Sequence, residues 1–357
     1  MPKAPRAEAC AIATPGGQNA KVATETALIV YDSASKTEHF LRTAKFDSTG
    51  DFGFFVPTPT RPQLAEAPGD IFPQLAKLTA PAKVYRTVYH ESQIACIPSA
   101  SNQTFIQVGS AIKPSGSSVR VIEQTKIGEF DAVVLKADEP AALQSWLSDN
   151  KYKTRPALEA WFGEYLKLGW YITAFKISAG TGRGSEDYGV RISFETDRPV
   201  YPYREPSDQG ESWRPRLLRV FVASDARVEG SIGSGADASR FAGRTVWSKP
   251  VDARSIGPVL GAAKLPVRER NWHLTEFEDE SRLRLGSDYL FVSNSESQWP
   301  IERTPLEIVV HKTTYWGEGS IYAGAVLFAF MAMALARRSE LRKRRGIPPQ
   351  NGSSSSG

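Results

Sequence analysis

Histidine, methionine and cysteine are scarce in this chain: four, three and two of 357 residues. Two cysteines exclude a disulfide-dense scaffold, and four scattered histidines leave little for a histidine-rich metal centre. His39, His90, His273 and His311 have no second His or Cys at metal-ligand spacing. "HESQI", from His90, opens like a zinc-protease helix but carries Ile94 where the second histidine is required. Net charge is also missing from most of the chain. The overall +5 is accounted for by Arg337, Arg338, Arg342, Lys343, Arg344 and Arg345 against Glu340, so everything before Arg337 is neutral. A nucleic-acid binder would carry its basic excess on a folded face, so nucleic acid is excluded as a partner. Long apolar runs are absent too, with one exception.

That exception is Gly319 to Ala336, which holds no ionisable residue. As a helix it would reach about 27 Å at about 1.5 Å per residue, against a bilayer core of about 30 Å. Tyr315 and Trp316 flank it as interfacial aromatics, and Ile321, Phe328, Phe330 and Leu335 supply lipid-facing bulk. Arg337 and Arg338 close it on the side that the positive-inside rule places in the cytoplasm. The expectation is a single-pass anchor in a cytoplasmic membrane, with the N-terminal body outside, the tail inside and the lipid bilayer as a partner. Export then calls for a signal peptide. Ala7-Glu8-Ala9 before Cys10 fits a small-x-small cleavage site without an apolar region ahead of it, so the signal is expected upstream of Met1. In an oxidising compartment Cys10 and Cys96 become disulfide candidates.

The body reads as α+β: antiparallel sheets with two amphipathic helices packed on one face, followed by the C-terminal transmembrane helix. Hairpin patterning predicts strands at Ala27 to Tyr31, His39 to Phe46 and Phe52 to Val56, ending at Pro57. A short helix is predicted at Ile71 to Leu78. Asp138 is an N-cap candidate for a helix with Leu143, Trp146 and Leu147 on one face. Leu158, Trp161, Phe162, Tyr165 and Leu166 mark a second helix ending at Gly169. Strands follow at Trp170 to Ile177, Val190 to Glu195, Leu217 to Ala223, Tyr289 to Ser293 and Leu306 to His311, with a looser stretch from Arg227 onward. The organisation expected is a leader over 1–26, a β-rich subdomain over 27–115, an α+β subdomain over 116–314, the span over 315–336 and a cytoplasmic tail over 337–357.

"ALIVYDSASK", "FFVPTPT" and "VRVIEQTKIGEFDAVVLKADEPAALQSWLSDNKY" resemble a bacterial family known as domain of unknown function 2330. The likeness continues through "LGWYITAFKI" and "VRISFETDRPVYPYR", covering about Cys10 to Phe221, with "NWHLTEF" near Trp272 beyond it. It implies an exported bacterial protein, often with a signal peptide ahead of an Ala-Cys pair like Ala9-Cys10 and with a C-terminal span ending in arginines. It brings no activity and no catalytic residues, and the chain departs from it by lacking the apolar signal.

Local motifs carry little chemistry. "GTGRGS", Gly180 to Ser185, lacks the Lys-Ser/Thr ending of a phosphate loop and leads into a strand. "EGSIG" has Glu229 where a nucleophile elbow needs glycine. "EFEDE", Glu276 to Glu280, reads as a solvated charge run. No cofactor, metal or catalytic residue is assigned. The function expected is a non-catalytic, membrane-anchored cell-envelope binding or structural module. The alternative is an envelope hydrolase using dispersed carboxylates such as Asp187, Glu195 and Asp197.

Overall fold

The computed structural model describes residues 11–14, 20–48, 51–91, 120–127, 130–137, 140–177, 188–208, 217–233, 239–240, 243–266, 271–281, 284, 286–294, 299–314 and 318–344. The chain divides into two compact units, 1–81 with 105–304, and 82–104 with 305–357.

The larger unit is mostly β. A five-stranded antiparallel sheet runs β1 (Ala11–Ala13), β4 (Phe52–Thr58), β9 (Tyr171–Ile177), β8 (Phe130–Lys136), β7 (Arg120–Ile127). A seven-stranded sheet runs β15 (Arg244–Val251), β16 (Trp272–Asp279), β12 (Leu218–Ser224), β2 (Ala20–Asp32), β3 (Thr37–Ser48), β10 (Tyr188–Glu195), β5 (Gln63–Pro68); its one parallel pairing is β2 with β12. A four-stranded sheet runs β11 (Val200–Tyr201), β17 (Tyr289–Ser293), β13 (Val228–Ile232), β14 (Ser239–Arg240). The helices of this unit are α1 (Ile71–Leu78), α2 (Pro140–Asp149), α3 (Pro156–Lys167) and α4 (Ala253–Ala262).

Side chains alternate across a strand with a period of two, so each sheet has two faces to bury. Phe52, Phe54 and Val56 of β4 enter one core together with Ala27 and Ile29 of β2, Val220 and Val222 of β12 and Tyr289 and Phe291 of β17. The interleaved residues face the other way. Phe55, Ala174 and Leu135 pack against Trp146, Leu158 and Phe162 of α2 and α3. Leu28, Val30, Phe221 and Leu274 pack against Ile71 and Leu75 of α1 and Ile256, Val259 and Leu260 of α4. The three sheets share an inner core, with helices on both outer faces.

This corrects the expected fold class. The helix pair α2–α3 does cover one sheet face, but the unit is sheet-dominated and a second helix pair seals a second sheet. The order within the first hairpins is also different: β2 and β3 pair, whereas β4 joins the five-stranded sheet. Pro57 is accommodated because β1 pairs only with Gly53 to Phe55, which leaves the proline beyond the end of that short edge strand. Gly169 has φ +71° after α3, and an added Cβ there would meet only the Lys136 ammonium, at 4.0 Å. The strain of Gly169→Ala is therefore purely backbone. A loss of about 1 kcal/mol is expected in urea unfolding, with Gly169→Asn losing less.

The smaller unit pairs β6 (Lys83–Glu91) with β18 (Leu306–Thr314) in parallel and carries α5 (Glu318–Arg344). Among the described residues no helix is long and apolar enough to cross a membrane. Helix α5 has 27 residues, a run whose uninterrupted apolar stretch stops at Ala336. Arg337, Arg338, Glu340, Arg342 and Arg344 occupy the rest of that run. The expected transmembrane helix, its lipid partnership and the single-pass membrane localisation are corrected accordingly. Phe328, Phe330 and Leu335 are exposed along α5 with Arg337 and Arg338; the side chain of Ile321, and Tyr315 and Trp316, lie outside the described residues. Among the described residues no disulfide stands at bonding distance; the expected bridge is withdrawn on that finding, and its candidates Cys10 and Cys96 lie outside those residues.

Candidate functional site

A cavity of about 280 Å3 lies on the helix-covered face of the five-stranded sheet. Strand register builds its floor. Gly53, Lys176 and Asp131 are successive cross-strand partners on β4, β9 and β8, so they form one row. Phe55, Ala174, Val133 and Gln124 form the next row, extended to β7. Gly53 and Ala174 leave the space. Trp146 and Asn150, at the end of α2, and Tyr152 beyond it supply the wall.

Gly53 has a steric role. A Cβ at this position would stand 3.2 Å from Cζ of Tyr152 and 3.4 Å from the Phe175 carbonyl oxygen, so the glycine lets the tyrosine ring lie directly on the strand. Tyr152 is 6% exposed, and its hydroxyl has no hydrogen-bond partner among the described residues. Burial, and then the carboxylates of Asp51 and Asp131, push its pKa above the tyrosine range, so it remains a neutral hydroxyl. Asn150 donates from Nδ2 to the Trp146 carbonyl at 2.8 Å, leaving its side-chain oxygen as an acceptor. The side chains of Gln124, Asp131 and Lys176 make no hydrogen bond or ion pair with any described residue. The site is aromatic in depth and polar at its rim.

Elsewhere, buried chemistry is committed to structure. Ser248 Oγ stands 2.9 Å from His273 Nε2, a distance suited to a nucleophile and its base. Ser248 is fully buried, however, and its backbone pairs with Ile301. Burial, followed by the Arg227 charge, lowers the His273 pKa to about 4. The pair is a sealed core contact. Glu276 and Glu278 are not a solvated run either: on β16 they receive Arg219 and Arg303, and Glu276 is fully buried. Among the described residues, no group of three His, Cys, Asp or Glu could hold a metal.

Of the dispersed carboxylates, neither Glu195 nor Asp197 lines the cavity. Glu195 ends β10 exposed, Asp197 is exposed and paired with Lys36 at 2.8 Å, and Asp187 lies outside the described residues. His90's side chain, Asp138 and "GTGRGS" also lie outside them. Sequence reasoning assigned Trp146 to the core and passed over Gly53, Gln124, Asp131, Asn150, Tyr152 and Lys176. The only available signal was the alternation of β8 and β9, which puts Asp131 and Lys176 on the same faces as apolar residues.

Fold and cavity together define a sheet-dominated protein, helix-covered on two outer faces, with a recess of small-molecule size. The chain belongs to the bacterial family described as "Uncharacterized protein conserved in bacteria (DUF2330)", which it matches over residues 4–289. No curated protein matches it. Solved structures that align with it include a mutated baculovirus P35 after caspase cleavage, at 8% identity and TM-score 0.35, covering 76% of this chain and 100% of that one. Another is a chain of a caspase-8/P35 complex, at 7% identity and TM-score 0.33, covering 75% of this chain and 95% of that one. Likeness at these scores carries no argument.

Proposed function

We propose that this protein is a non-catalytic binding module whose ligand is a small molecule held in the recess between α2 and the five-stranded sheet. The observation that carries this reading is the unused hydrogen-bonding capacity around the recess. Buried polar groups are normally satisfied, and each one left unmade costs about 1–3 kcal/mol. The Tyr152 hydroxyl is buried without a partner among the described residues, and the side chains of Gln124, Asp131 and Lys176 make no bond to any of them. A pocket that is mostly apolar with a few unengaged polar groups is the usual form of a small-molecule site. The volume equals about nine waters at about 30 Å3 each, which suits a compact ligand. Among the described residues that line it no nucleophile is hydrogen-bonded to a base, which favours binding over turnover.

Indole tests the reading as a probe of the recess. Saturation-transfer NMR on the full chain should show indole bound at millimolar concentration, and Ala174→Phe, which fills the floor, should abolish the signal with circular dichroism unchanged. If Ala174→Phe does not fold, Val133→Phe blocks the same row. An indole signal that survives a folded blocking variant would overturn the proposal.

A further inference from the structure

Resting on the binding reading above, the geometry points to a ligand class: a small zwitterion with an apolar side group, of which an α-amino acid is the simplest representative. Its ammonium would face Asp131, its carboxylate Lys176, and its side group Trp146 and Tyr152.

Asp131 and Lys176 are direct cross-strand partners, so their Cα atoms stand about 5 Å apart with both side chains on the same face. Opposite charges so placed ordinarily close an ion pair across the strands. Neither side chain makes an ion pair or hydrogen bond with any described residue, although both line the cavity. A ligand bearing only an ammonium would leave Lys176 unmatched and repelling it. A ligand bearing only a carboxylate would meet Asp131, with Asp51 adding to the negative field around Tyr152. An uncharged ligand would use neither group. A head carrying both charges a few ångströms apart matches the adjacent pair.

The deeper part favours an apolar side group of limited size. Trp146 and Tyr152 are 7% and 6% exposed, Phe55 is buried, and Ala174 leaves the floor open between them. The Tyr152 hydroxyl and the Asn150 side-chain oxygen add one donor and one acceptor beside the aromatic rings. The charged row lies nearer solvent, with Asp131 exposed and Lys176 half-buried. Charge contacts at a solvated rim are weak, so the arrangement selects among ligands more than it tightens binding.

Calorimetric or NMR titration of the full chain with L-leucine and L-phenylalanine should give saturable binding at millimolar concentration or below. N-acetyl-L-phenylalanine, without the ammonium, and L-phenylalaninamide, without the carboxylate, should each bind at least about tenfold more weakly, a difference of about 1.4 kcal/mol. Asp131→Asn should erase the preference over the N-acetyl form, and Lys176→Gln the preference over the amide. Equal binding of the parent and either blocked form, or preferences unchanged in both variants, would overturn the zwitterion assignment. If indole binds and is displaced by Ala174→Phe while no amino acid binds, the assignment falls and the binding-module reading stands. If neither indole nor any amino acid binds, both fall.

Discussion

Glu25→Ala should lower the stability of the protein by about 3–5 kcal/mol in urea unfolding, the range found when one member of a buried ion pair is removed. Glu25 is 2% exposed on its side chain and stands 2.6 Å from Nε of Arg42 and 3.9 Å from Nη1 of Arg284, both of them equally buried. Tyr201 donates its hydroxyl to the same carboxylate at 2.7 Å. Arg284 also reaches Asp279 at 3.6 Å, and Tyr203 donates to Asp279 at 2.8 Å. Removing Glu25 leaves two guanidiniums in the interior with one fewer carboxylate. A guanidinium cannot escape by deprotonating, so the cost appears in the folding equilibrium. Glu25→Gln keeps an acceptor for Tyr201 and should lose less than alanine. The pH dependence distinguishes charge from packing. Burial raises the Glu25 pKa, but Arg42 and Arg284 outweigh it and the net shift is downward. A lowered folded-state pKa contributes stability above the unfolded value of 4.5 that disappears as pH falls through the folded value. The difference between wild type and Glu25→Gln should therefore narrow below pH 4.5. A loss under 1 kcal/mol for Glu25→Ala would show that the network is not energetically desolvated.

Glu38→Gln should do the opposite and stabilise the protein at alkaline pH. Glu38 is fully buried on β3, where its carboxyl accepts the Val200 amide hydrogen at 2.8 Å. Burial raises its pKa well above 4.5, and the Val200 bond offsets this only in part. The folded state therefore keeps a proton that the unfolded chain releases. The stability this group contributes is complete below pH 4.5 and is lost at about 1.4 kcal/mol per pH unit up to the folded pKa. Glutamine preserves an acceptor for Val200 without a charge to bury. Urea midpoints at pH 5 and pH 8 should show the advantage of Glu38→Gln growing at the higher pH, while other titrating groups cancel in the comparison. An equal difference at both pH values would mean that Glu38 is already ionised in the fold. Glu25 and Glu38 are both buried glutamates on adjacent strands, but only Glu25 has cations beside it, and their pH responses have opposite sign for that reason.

Local patterns were legible. The strands at β2, β3, β9, β12 and β17 and the helices α1, α2 and α3 lie where the hydrophobic spacing puts them, because period-2 and period-3.6 burial can be read within about ten residues. Helix α4 escaped because Gly257, Pro258 and Gly261 mask the spacing of Ile256, Val259, Leu260 and Ala263. Strand β16 escaped because its acidic residues imitate a solvated run. Glu276 and Asp279 are buried only because Arg219, Arg303 and Arg284, distant in sequence, meet them. The C-terminal run misled in the reverse direction, since composition and flanks suggested a span, whereas among the described residues no helix is long and apolar enough to provide one.

Membership of the bacterial family and the positions of most helices and strands are determined by the amino-acid order alone, since both depend on patterns confined to short stretches. Which strand neighbours which, and hence the row of Gly53, Lys176 and Asp131, was decided only in three dimensions. Alternation along a strand says which residues share a face. It does not say which distant strand will lie beside it, because that choice is made by the packing of the whole core against the entropy of closing long loops.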